Sequence, residues 1–137
     1  MSSLAIAGSV WFRVKRMNIY VAAHDQKRAI SCAEQLEKAG HNIFCKWLTV
    51  PFLKTEEHTE AERFAIAQRN ADEIAKCDAL VLLESHDRVP GGKFVEAGLG
   101  LGLGKRVFLI GRRENMMMWH PQIRQYDSMD ALLRAIH

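Results

Sequence analysis

Two hydrophobic periods alternate along this chain, one that suits strands and one that suits helices. Ile19-Tyr20-Val21-Ala22-Ala23 is a short β-prone run that ends at the polar His24-Asp25-Gln26. Ala29, Ile30, Ala33 and Leu36 follow at steps that keep one helical face apolar, and Gly40 stands where a C-terminal cap is expected. Ile43, Cys45 and Trp47 then alternate with other residues, which predicts a strand with unequal faces. Ala61, Phe64, Ala67, Ala71 and Ile74 predict a second helix. The unbroken run Ala79-Leu80-Val81-Leu82-Leu83 predicts a strand covered on both sides. Phe94, Ala97 and Leu101 restore helical spacing, and Val107-Phe108-Leu109-Ile110 is a second fully apolar strand. Ser128 is placed to cap a last helix containing Ala131, Leu132, Ala135 and Ile136.

Strands alternating with helices predict an α/β fold of one domain. Its core would be a doubly wound parallel sheet, flavodoxin-like or Rossmann-like, with helices on both faces. Such sheets bind ligands beyond the carboxyl ends of their strands, which draws attention to the loops over 24–26, 85–92 and 111–119. The domain is expected over residues 17–137, and residues 1–16 form an N-terminal extension of unknown role. The apolar stretch over 4–14 is too short for a membrane span and has no positive residue ahead of it, so neither a span nor a cleaved leader is expected. It is compatible with an added strand, a partner-binding arm, or an extension ahead of a start at Met17.

Composition narrows the chemistry. The net charge of +3 is spread over the chain without a basic arm, so neither nucleic acid nor a membrane is expected as a partner. Cys32, Cys45 and Cys77 are odd in number, far apart and set in apolar patterns, which predicts reduced core thiols and a cytoplasmic location. No two of the six histidines share the spacing of a helical metal site, and no metal or cofactor is expected. Gly98, Gly100, Gly102 and Gly104 fit neither nucleotide-loop spacing. Gly98 and Gly102, one turn apart, are expected to let a helix approach its neighbour closely. Pro90-Gly91-Gly92 reads either as a plain tight turn or as a turn that offers N–H groups to a sugar or phosphate oxygen. Glu96 falls in the first turn or so of the next helix, where the dipole favours an acid in any protein and would keep a nucleophilic carboxylate ionised.

Three separated segments resemble the nucleoside 2-deoxyribosyltransferase family, which includes related 2′-deoxynucleoside 5′-phosphate N-hydrolases. Ile19-Tyr20-Val21-Ala22-Ala23 resembles the family's opening strand, whose tyrosine supports the catalytic carboxylate. The stretch over 90–105, with Gly92, Glu96 and Gly98, is similar to the family's Gly-x-x-x-Glu-x-Gly run into a small-residue helix and a Gly-Lys. Asn115-Met116-Met117-Met118-Trp119 resembles a segment that reaches a neighbouring subunit's sugar site. The similarity runs from about Met17 onward. At the family's second catalytic acid this chain carries Asn70, which hydrogen-bonds but does not exchange a proton at ordinary pH. Asp72 is two positions on and would substitute only if the helix were shifted or rotated. Pro90 replaces an acidic or hydroxyl side chain.

The resemblance implies chemistry at the N-glycosidic bond, with a nucleoside or nucleotide as the small-molecule partner. Glu96 would attack C1′ and form a glycosyl ester, which a second base or water would then resolve. Tyr20 would hold the carboxylate, while Asn70 or Asp72 would contact the sugar or the departing base. Ala23, His24, Gly91 and Gly92 would line the substrate site, and Asn115 and Met117 would complete a partner's site in a homo-oligomer. Lys93, Arg112 and Arg113 are the cations available for a 5′-phosphate. The alternatives to deoxyribosyl transfer are hydrolysis of nucleoside 5′-monophosphates and a non-catalytic binding module.

Overall fold

The structure, a computed structural model, describes residues 16–136 together with the short pieces 4–5 and 7–8. Those two pieces pair antiparallel with each other. Of the expected extension over residues 1–16, positions 1–3, 6 and 9–15 lie outside the described residues.

Five strands make one parallel sheet: β1 (Asn18–Ala22), β2 (Asn42–Ile43), β3 (Ala79–Leu83), β4 (Arg106–Ile110) and β5 (Ile123–Tyr126), in the order β2-β1-β3-β4-β5. Four helices accompany them among the described residues: α1 (Gln26–Lys38), α2 (Glu60–Lys76), α3 (Gly92–Gly102) and α4 (Met129–Ile136). This is the expected doubly wound α/β arrangement. The chain steps outward from β1 to β2, then returns past β1 to β3, so the direction of winding reverses between β1 and β3. At that reversal the loops leaving the two strands diverge and open a crevice.

Side chains satisfy the free N–H groups at the starts of α1, α2 and α4, whereas α3 opens at Gly91 with no side-chain cap. Asp25 accepts from Lys27 N and Arg28 N at the head of α1, and Thr59 and Glu62 cap α2 reciprocally. Ser128 Oγ accepts from Ala131 N at 3.1 Å, as expected for α4. Gly40 takes the left-handed conformation just past α1 (φ 98°) and lets His41 N close back on Leu36 O at 3.1 Å. The core is the sheet itself, with every residue of β3 buried and only the first residue of β1 and of β4 exposed.

Three expectations need correction. The strand expected through Ile43, Cys45 and Trp47 stops at Ile43. Cys45 Sγ and Trp47 Nε1 turn back to donate to Val21 O at 3.5 and 2.9 Å, and Lys46–Thr49 coils into a 3₁₀ turn. The stripe expected along α2 is buried only at Ile74, and Phe64 is 71% exposed. The close approach of α3 is at Gly100, where a Cβ would lie 3.5 Å from Leu80, whereas Gly98 and Gly102 have open space in that direction.

Candidate active site

Tyr20 is fully buried in the middle of β1, and its hydroxyl donates to Glu96 Oε2 of α3 at 2.5 Å. From there Glu96 faces a cleft of about 550 Å³. Ala23 and His24 enter it from the end of β1, Gly91 and Gly92 from the head of α3, and Asn70 from α2. The outer wall is the chain from Trp47 to His58. Gln26 holds its near end, with Nε2 donating to Trp47 O and Val50 O at 2.9 and 2.7 Å, and the Phe52 ring stands edge-on to His24. Gly91 turns the chain into α3 at φ 98°, a conformation a side chain would strain. Gly92 opens the helix, so its N–H precedes the helical ladder and remains available to a ligand.

Burial pushes the Glu96 carboxyl up to about 7 from an ordinary 4.5; the Tyr20 hydrogen bond opposes the rise and the nearby Glu73 carboxylate adds to it. The dipole does not prevent this. Glu96 is the fifth residue of α3, past the first turn, where the field has faded. The sequence expectation of a firmly ionised carboxylate is therefore corrected: near neutral pH both forms are present. Burial and the Glu96 charge hold the Tyr20 phenol protonated far above its ordinary range, so Tyr20 serves as a donor only.

Asp72 is not at the site. Two residues past Asn70 it has rotated roughly 200° around α2, and its Oδ1 accepts from Gln68 Nε2 at 2.9 Å on the outer surface. Asn115 and Met117 also lie away from the cleft of their own chain. Asn115 Oδ1 caps the 3₁₀ turn Met116–Trp119 by accepting from Met118 N, while Met117 is 64% exposed.

No protein-family model and no curated protein matches the sequence. Solved structures do. One is a 2-deoxyribosyltransferase from Bacillus psychrosaccharolyticus, 20% identical over 85% of this chain and 90% of that one, with a TM-score of 0.68. A second is the Clostridium botulinum CMP N-glycosidase BcmB, 16% identical over 85% and 95% of the two chains, with a TM-score of 0.55. A conserved protein from Enterococcus faecalis V583 is 14% identical over 88% and 96%, with a TM-score of 0.65. The fold is shared. The 2-deoxyribosyltransferase carries the activity of the family that the sequence resembles.

Of the cations expected to meet a phosphate, Lys93 and Arg112 are ion-paired within the chain, while Arg113 Nε has no hydrogen-bond partner. Lys93 is buried and donates to Leu83 O, Ser85 Oγ and Glu114 Oε2 at 2.8, 2.7 and 2.6 Å. Arg112 donates to Glu84 Oε2 and Ser85 O at 2.8 and 3.0 Å, and Arg113 lies 4.5 Å over the Trp119 ring. Sequence reasoning missed three side chains that matter here: Arg69 and Phe52, which line the cleft, and Glu73, whose charge bears on Glu96. The available signal was spacing. Ile66 lies three and four residues before Arg69 and Asn70, and Glu73 four and three after them, the spacing of one helical face. Among the described residues no group of His, Cys, Asp or Glu comes together to hold a metal ion, and no helix is long and apolar enough to cross a membrane.

Proposed function

We propose that this chain breaks and remakes N-glycosidic bonds of nucleosides, transferring a 2-deoxyribosyl group between bases through an ester on Glu96. The observation that carries the reading is the Tyr20–Glu96 hydrogen bond at the floor of an open cleft. A buried carboxylate aligned by a donor-only phenol, with Gly91 and Gly92 at a helix N-terminus beside it, has the parts of a double displacement at C1′. Glu96 in its ionised form attacks C1′, the base departs, and an acceptor base enters the same cleft to take the sugar back. The names of two structural neighbours, a 2-deoxyribosyltransferase and a CMP N-glycosidase, point to the same bond.

Nucleosides are favoured over 5′-monophosphates because Lys93 and Arg112 are ion-paired to Glu114 and Glu84 within the chain. The assembly proposed is a homo-oligomer. Val95 and Phe64 are each more than two-thirds exposed, and Met116, Met117 and Trp119 form an exposed apolar group beside Asn115 that would reach a partner's cleft. Three buried free thiols fit a reducing, cytoplasmic setting.

The test is the intact mass of the protein after brief incubation with 2′-deoxynucleosides and their 5′-monophosphates, beside a Glu96→Ala control. A sugar-sized adduct on the native chain alone is expected. Bound ligand with neither adduct nor released base refutes catalysis and leaves a binding module.

A further inference from the structure

We propose that Asn70, held by Arg69, forms a donor site that receives the departing nucleobase as an anion, so that Glu96 displaces it without a general acid. The inference rests on the N-glycosidic reading above. Arg69 Nη2 donates to Asn70 Oδ1 at 3.2 Å, and both side chains line the cleft that Glu96 faces. A guanidinium carries donors only, so the side of the amide turned to it must be the carbonyl, and Asn70 is left with the two N–H bonds of Nδ2 to offer. Among the described residues nothing accepts from Nδ2, and Arg69 Nε is buried with no acceptor either. The Nδ2 donor, unlike the buried Nε, is open to a ligand in the cleft. The Asn70 Nδ2 donor, polarised by a permanent cation on the carbonyl of the same amide, fits a ligand that brings negative charge.

The reaction generates such charge at one point. As a Glu96 oxygen bonds to C1′, the C1′–N bond breaks and its electron pair leaves on the base. There the charge spreads over the ring nitrogen and any adjacent carbonyl oxygen or ring nitrogen. No proton moves in this step, and the base anion afterwards takes one from water. Donors fixed where charge develops stabilise the transition state without needing to ionise themselves. An amide suffices for that role where a carboxyl would have donated a proton. Asn70 touches the base, whereas Arg69 acts through Asn70 and is a positioning residue. The substrates selected are nucleosides whose bases present an acceptor beside the glycosidic nitrogen and leave readily as anions.

Base release is measured from 5-fluoro-2′-deoxyuridine, 2′-deoxyuridine and thymidine, whose bases leave with decreasing ease, in the native chain and in Asn70→Asp, Arg69→Met and Arg69→Lys. The native rates should fall steeply along that series. Asn70→Asp exchanges the amide donor for a carboxylate that the Arg69 guanidinium keeps ionised, so it should slow release of thymine by roughly 100-fold and release of 5-fluorouracil less. Arg69→Met should slow thymine release most, roughly tenfold to a hundredfold, with partial recovery in Arg69→Lys. An equal dependence on the leaving base in all four proteins, each folded by thermal melting, overturns the inference while leaving the N-glycosidic reading intact. Failure of the native chain to release any base overturns both.

Discussion

Replacing Glu96 by Gln should stabilise the protein in alkaline solution and leave it unchanged in acid. Gln keeps the shape of the side chain and an oxygen for the Tyr20 hydroxyl, and removes only the charge. The Glu96 carboxyl titrates at about 7 in the folded chain against an ordinary 4.5. Between those values the native state binds more protons than the unfolded state, so stability falls as pH rises through that window and the loss is complete above about 7. The separation corresponds to about 3 kcal/mol. Glu96→Gln should therefore equal the native chain near pH 4 and exceed it by about 3 kcal/mol near pH 8, or roughly 10 °C in Tm. Urea unfolding followed by tryptophan fluorescence at a series of pH values measures this directly. A difference that is the same at both ends of the range, or a variant less stable than the native chain near pH 8, would refute the claim that burial holds this carboxyl partly neutral. The same variant should form no sugar adduct, so the fold gives up stability to keep an ionisable group in its cleft.

The remaining predictions concern the supports of that group. The rate of sugar transfer should rise with pH through about 7 as Glu96 ionises. Tyr20→Phe, by removing the bond that favours the ionised form, should move that midpoint upward and slow the reaction roughly tenfold to a hundredfold. An unmoved midpoint in the pH dependence of kcat/KM would exclude the role given to Tyr20. Lys93→Met leaves the Glu114 carboxylate without its buried partner and should cost about 3–5 kcal/mol. Chemical denaturation should find much of that cost recovered when Glu114 is also replaced by Leu. Phe64→Glu places a charge on the exposed face of α2 and should dissociate the assembly in light scattering while changing chain stability by about 0.5 kcal/mol or less. A native chain that is already monomeric would refute the oligomer.

Periodicity made the scaffold legible because it records which face of an element is covered. The apolar runs at Ala79–Leu83 and within Arg106–Ile110 became buried central strands. The reversal of winding between β1 and β3 then placed the cleft beside Glu96, where the loops after those strands were expected to matter. Periodicity does not record which donor meets which acceptor. Cys45 and Trp47 alternate as a strand would, yet both side chains turn to the Val21 carbonyl and end β2 early. Lys93 reads as a surface cation and is instead consumed by Leu83, Ser85 and Glu114. The charge of Glu96 was illegible for the same reason. Its position in α3 suggests a dipole that favours ionisation, but burial raises the carboxyl, with the Tyr20 hydrogen bond from β1 opposing the rise and the Glu73 charge from α2 adding to it. Asn70 shows the consequence for function. Taken alone it is a lost acid, and only the contact from Arg69, which fixes which end of the amide faces the cleft, makes it a donor that can carry the charge of a leaving base.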